Sequence, residues 1–78
     1  MIAIVDYGAG NIFSLKNALD YLGEKSVLTN KAEDIINADS VILPGVGAFP
    51  DARKKLADKG LDKIIVSEAQ KKPLLGIC

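Results

Sequence analysis

The sequence predicts an α/β fold with a doubly wound, mainly parallel sheet, and two observations carry that expectation. Short apolar runs alternate with amphipathic stretches in the order strand, helix, strand, helix, strand, helix, strand. The helical stretches are long enough to cross back over a sheet, which is what parallel neighbours require. No repeat or low-complexity linker interrupts this order, so the 78 residues are one small domain or a piece of one. A unit of that size buries only about 60 to 65 per cent of its unfolded surface and is expected to be marginally stable alone.

Each element has a local reason. Ile2 to Val5 is an unbroken apolar run, the pattern of a strand buried on both faces, and it empties into the turn-rich Asp6-Tyr7-Gly8-Ala9-Gly10. Asn11 is placed to cap the helix that follows, in which Ile12, Leu15, Leu19 and Leu22 share one face, and Gly23 supplies a left-handed stop. Ser26 to Leu28 is the second strand. Asn30 and Glu33 have the spacing of a capping box for a short helical turn through Ile36. Ser40 to Leu43 is the third strand and runs into Pro44-Gly45-Val46-Gly47, after which Asp51 to Lys59 is expected to be a helix stopped by Gly60. A further helix places Leu61, Ile64, Ile65 and Ala69 on one face, with Lys63, Glu68, Lys71 and Lys72 toward solvent. Pro73 breaks it and opens the fourth strand.

Composition excludes several function classes. Ten basic residues balance ten acidic ones, so no excess of charge favours nucleic acid or an anionic membrane surface. The single cysteine forms no internal disulfide, and the amino-terminal Met1-Ile2-Ala3-Ile4-Val5-Asp6 lacks the basic region and apolar length of a signal peptide or membrane span. The expected compartment is the cytoplasm. Asp6 has no nearby acidic companions that would complete a metal site, and no metal is expected. Lys54-Lys55 and Lys71-Lys72 read as solvated helix faces, and Tyr7 and Tyr21 are too isolated to form a stacking platform.

The chemistry-bearing residues cluster at the ends of strands. Gly76-Ile77-Cys78 reads as the first half of a nucleophile elbow, the strand-to-helix turn that lifts a reactive side chain above an α/β sheet. An elbow brings the sulfur near a helix N-terminus, where the dipole favours thiolate over thiol. The sequence contains no histidine, so the thiol has no imidazole among these residues to take its proton. The chain is therefore expected to be the N-terminal part of something larger. Gly45, Val46 and Gly47 suit a second need, because backbone N–H groups in a glycine loop can closely approach a developing oxyanion. Each feature also has a plainer reading: glycines permit tight turns, and a lone cysteine ending an apolar strand packs in the core. A nucleotide cradle fits poorly, since Phe13 stands where a dinucleotide fingerprint needs a small residue and neither loop has a P-loop ending.

Asp6-Tyr7-Gly8-Ala9-Gly10-Asn11-Ile12 with Ser14-Leu15, then Pro44-Gly45-Val46-Gly47-Ala48-Phe49, then Leu75-Gly76-Ile77-Cys78, in that order and spacing, resemble the triad-class glutamine amidotransferases. Among them the resemblance is to the amidotransferase subunits of imidazole glycerol phosphate synthases, because the anthranilate and carbamoyl phosphate synthase relatives usually carry Pro-Gly-Pro-Gly where this chain has Val46. The resemblance covers the whole chain, and the family's domain is more than twice as long. It implies that residues 1–78 are the N-terminal part of a single amidotransferase domain of flavodoxin-like fold, with the catalytic histidine and glutamate beyond Cys78. It implies that Cys78 is the nucleophile for glutamine hydrolysis. The Gly45, Val46 and Gly47 loop is then the oxyanion strand, its Val46 N–H donating after a peptide reorientation. It further implies that Asn11 and Ser14 face a β/α-barrel synthase subunit that consumes the ammonia in histidine biosynthesis, that no cofactor is needed, and that the assembly is a cytoplasmic heterodimer. Two other readings stand beside it: a small-ligand or nucleotide-binding flavodoxin-like domain, and a noncatalytic docking module.

Overall fold

The computed structural model describes residues 1–8, 11–45 and 49–77. In chain order the elements are β1 (Ile2–Val5), α1 (Ile12–Tyr21), β2 (Ser26–Thr29), α2 (Ala32–Asn37), β3 (Ser40–Pro44), α3 (Phe49–Asp58), α4 (Asp62–Ala69) and β4 (Leu74–Ile77). The four strands form one parallel sheet in the order β2-β1-β3-β4. The expected α/β class with a parallel sheet is thus observed.

The winding follows from that order. From β1 the chain steps outward to β2, then returns past β1 to β3 and on to β4. Right-handed crossovers place helices on opposite faces when the direction of travel reverses, so α1 covers one face and α2, α3 and α4 the other. The buried cluster agrees: Ala3, Val5 and Tyr7 from the first strand and its extension join Val41 and Leu43 of β3 beneath Ile35, Ala52, Leu56, Leu61 and Ile65. Ile4 and Ile42 point to the other face, as alternation along a strand dictates. That face is less completely covered, because α1 contributes no buried residue and Leu75, in register with Ile42, is 56% exposed.

Several local expectations need correction. Leu22 is not on the buried face of α1. It is the residue after the helix, and it is 70% exposed, because Gly23 with φ +78 turns the chain away there. Asn30 and Glu33 do not form a capping box at α2. The second strand runs one residue further, to Thr29, whose Oγ accepts from the Lys31 N–H at 3.0 Å and donates to Asp34 Oδ2 at 2.6 Å. The third helix begins at Phe49, two residues earlier than expected, with Pro50 in its first turn where a missing N–H costs nothing. Pro44 extends β3 by one residue. On α4, Ala69 is exposed while Glu68 is only 4% exposed. Glu68 is held by Lys72 Nζ at 3.0 Å, and that ammonium also donates to the Ile35 and Ile36 carbonyls at 2.9 and 2.7 Å. These two charges, expected in solvent, are buried together because α4 packs on the end of α2 and the last carbonyls of α2 need donors.

Candidate active site

In an open parallel sheet the ligand crevice lies outside the carboxyl ends of the strands, where the order of connection reverses. Here that point lies between β1 and β3, since the chain leaves β1 for β2 and returns to β3. Two glycine turns emerge there. Gly8 follows β1 with φ +91 and Gly45 follows β3 with φ +76, both left-handed conformations that side chains rarely adopt. Alanine at either position is strained by its backbone alone.

Register fixes what stands beside these turns. Leu43 pairs with Gly76 and Pro44 with Ile77, so the last residues of β3 and β4 lie side by side at about 4.8 Å, the normal spacing between strands. Gly45 and Cys78 are the residues that follow these two partners in the sequence. The expected nucleophile Cys78, and Val46 and Gly47 of the expected oxyanion loop, lie outside the described residues. Gly45 is half-buried at the carboxyl edge of the sheet.

Asn11 sits where the first loop enters α1. Its Oδ1 accepts the Ser14 backbone N–H at 3.2 Å, the N-cap geometry expected from the sequence. Asn11 and Ser14 are both exposed. The cap gives Asn11 a structural duty, and its exposure leaves it accessible to another surface.

Tyr7 is the residue that sequence reasoning missed. Far from being a bystander, it is 1% exposed, packs in the core cluster, and donates its hydroxyl to the Pro44 carbonyl. Burial pushes the phenol above its ordinary pKa, so it remains a donor through neutral pH. A signal was present: Tyr7 continues the inward alternation of Ala3 and Val5, and a buried tyrosine hydroxyl ordinarily has a partner. Lys55, expected on a solvated face, reaches across from α3 to the Gly8 carbonyl at 3.3 Å. Among the described residues no cluster of three or more His, Cys, Asp or Glu side chains is arranged to hold a metal ion. Nor is any helix among them long and apolar enough to cross a membrane.

A doubly wound parallel sheet with glycine turns after β1 and β3, and with β4 paired beside β3, defines an α/β domain of flavodoxin-like type. The chain belongs to the family of imidazole glycerol phosphate synthase subunit HisH. The protein of that name from Oceanobacillus iheyensis is 60% identical over 79 residues that include all of this chain, and the one from Staphylococcus saprophyticus is 51% identical over 78. A third, subunit HisH 2 of Nitrobacter winogradskyi, is 50% identical over 80 residues covering 99% of the chain. The match takes in 39%, 39% and 37% of these relatives, so the chain spans well under half of their length. No family model matches the chain.

Proposed function

We propose that this chain is the nucleophile-bearing part of a glutaminase that hydrolyses glutamine to glutamate and passes the ammonia to a synthase subunit. The observation that supports this reading is the pairing of Pro44 with Ile77, the residues that precede Gly45 and Cys78 in the sequence, on the strand pair next to the switch point. The relatives' names favour it over a nucleotide-binding domain or a docking module.

The chemistry runs as follows. The Cys78 thiolate attacks the side-chain amide carbon of glutamine, and the carbonyl electrons move onto oxygen. The Val46 N–H, turned toward that oxygen by reorientation of the Gly45–Val46 peptide, stabilises the charge at the moment it develops. Collapse of the intermediate expels the nitrogen as ammonia, which requires a proton from a general acid, and leaves a glutamyl thioester. Water, deprotonated by the same group acting as base, then releases glutamate and restores the thiol. With no histidine in the sequence, that acid and base is supplied by the part of the protein that the longer relatives possess and this chain does not. Asn11 and Ser14, exposed at the same edge of the sheet, are the residues we assign to contact with the synthase subunit.

The test uses the full-length protein paired with its synthase. Cys78→Ala is expected to abolish synthesis that depends on glutamine while sparing synthesis from added ammonia, because the thiol serves only to generate ammonia. Equal loss with both nitrogen donors would mark Cys78 as structural and end the proposal.

A further inference from the structure

We propose that Tyr7 is a positioning residue that pins the peptide from which the oxyanion loop departs. This rests on the glutaminase reading for its catalytic consequence, though the pin itself is a matter of geometry. The Tyr7 ring is fixed on all sides, being 1% exposed within the cluster that includes Val5, Ile35 and Leu43. A buried aromatic has two side-chain torsions, and packing leaves neither free. Its hydroxyl is therefore delivered to one place, the carbonyl of Pro44, 37 residues away in sequence at the end of the neighbouring strand.

That carbonyl matters because of what shares its plane. The Pro44 C=O and the Gly45 N–H belong to one rigid peptide unit, so holding the oxygen also fixes the direction of the N–H and the start of the glycine turn. Pro44 has no N–H of its own to anchor it in the sheet. Gly45 already sits in a left-handed conformation, and glycine passes between backbone basins more readily than other residues. Without a restraint upstream, rotation at this point would spread into the Pro44–Gly45 peptide. With the Pro44 oxygen held, a reorientation of the next peptide is confined to ψ of Gly45 and φ of Val46. The catalytic step asks for that one rotation and no other. Next to Tyr7, Lys55 of α3 donates to the Gly8 carbonyl at 3.3 Å.

Tyr7→Phe removes the hydroxyl and keeps the ring, so packing survives. In the full-length protein assembled with its synthase, kcat for glutamate release is expected to fall about fivefold to tenfold, the loss that corresponds to one net hydrogen bond, with KM unchanged. The alkylation rate of Cys78 by iodoacetamide, which reads the thiolate and not the oxyanion donors, should stay as in the parent protein. Hydrogen exchange of the stretch 44–49 should speed up at least several-fold while that of 26–29 does not change. A lowered Tm with normal kcat and evenly raised exchange would reduce Tyr7 to a core residue and overturn the proposal. Should Cys78 prove dispensable for glutamate release, the glutaminase reading fails, and the exchange measurement still decides the pin: unchanged exchange at 44–49 in Tyr7→Phe refutes it.

Discussion

Asn11 and Tyr7, four residues apart, show how one side chain decides what a loop can do. Asn11 satisfies a backbone donor that the first turn of α1 would otherwise leave unpaired. Asn11→Ala should therefore lower stability by about 0.5 to 2 kcal/mol, measured by denaturant unfolding, with Asn11→Asp retaining most of it. If the residue also meets the synthase, as proposed, the same substitution in the complete complex reduces the stimulation of glutaminase by synthase ligand, on the order of 1 to 3 kcal/mol of coupling. An unchanged stimulation ratio leaves Asn11 as a cap only. Tyr7 makes a different prediction. Its pKa is raised in the fold, so the native state favours the protonated phenol, and that contribution is complete below the ordinary value of 10.0. It is lost as pH rises from there through the higher folded value. Thermal melts across that alkaline range should fall more steeply for the parent protein than for Tyr7→Phe. Asn11 was legible because Asn before an apolar helical face has a single dominant use. Tyr7 was not, because its partner is a backbone carbonyl on another strand, and no spacing in the sequence encodes that distance.

Elements were legible to the extent that one element's own pattern decided them. All four strands and the long helices were expected within a residue or two, since the apolar runs and their glycine stops are local signals. The two errors at α2 and α4 arise where a second element intrudes. Thr29 displaced Asn30 as the organiser of α2 because the strand pairing with β1 continues through Val5 and Thr29 and carries that hydroxyl to the helix start. Glu68 and Lys72 look like an ordinary exposed pair four residues apart, and only the approach of α4 to α2 buries them. The Lys72 hydrogen bond holds the Glu68 carboxyl below its ordinary range, despite the opposing effect of burial, with Lys71 at 3.4 Å assisting. A lowered folded pKa means stability that is present above the unfolded value and lost as pH falls through the folded one. Melting temperature should therefore drop on acidification below the usual glutamate range, and Glu68→Gln should flatten part of that drop. Asp39, held below its own ordinary value chiefly by the amino-terminal ammonium at 2.6 Å, titrates in both proteins, so the part of the drop that Glu68→Gln removes reports Glu68 and its lysine partner. Identical acid profiles would show that the pair is not coupled to folding.

At the scale of the whole molecule, the parallel α/β class was legible in the alternation of strands and helices and the family in three loops, whereas the strand order β2-β1-β3-β4 came from the structure. What the sequence left open was the uneven cover of the sheet. The face beneath α2, α3 and α4 carries the buried cluster, whereas on the other Leu75 is 56% exposed, and on α1 Phe13 and Tyr21 are 72% and 91% exposed. Such apolar surface and an edge strand recruit other chains. The 78-residue segment alone is therefore expected to self-associate or to unfold without a cooperative transition, and a monomer in sedimentation with a sharp, high-temperature melt would contradict this. It is also expected to release no glutamate from glutamine, for want of an imidazole. The central proposal, that Cys78 is the nucleophile of glutamine hydrolysis, is tested most directly by rapid acid quench of the full-length complex during glutamine turnover, followed by mass analysis of the peptide that carries Cys78. A glutamyl thioester on Cys78, absent from Cys78→Ser, is the predicted result; steady release of glutamate with Cys78 unmodified at every quench time, undiminished in Cys78→Ser, would contradict the account.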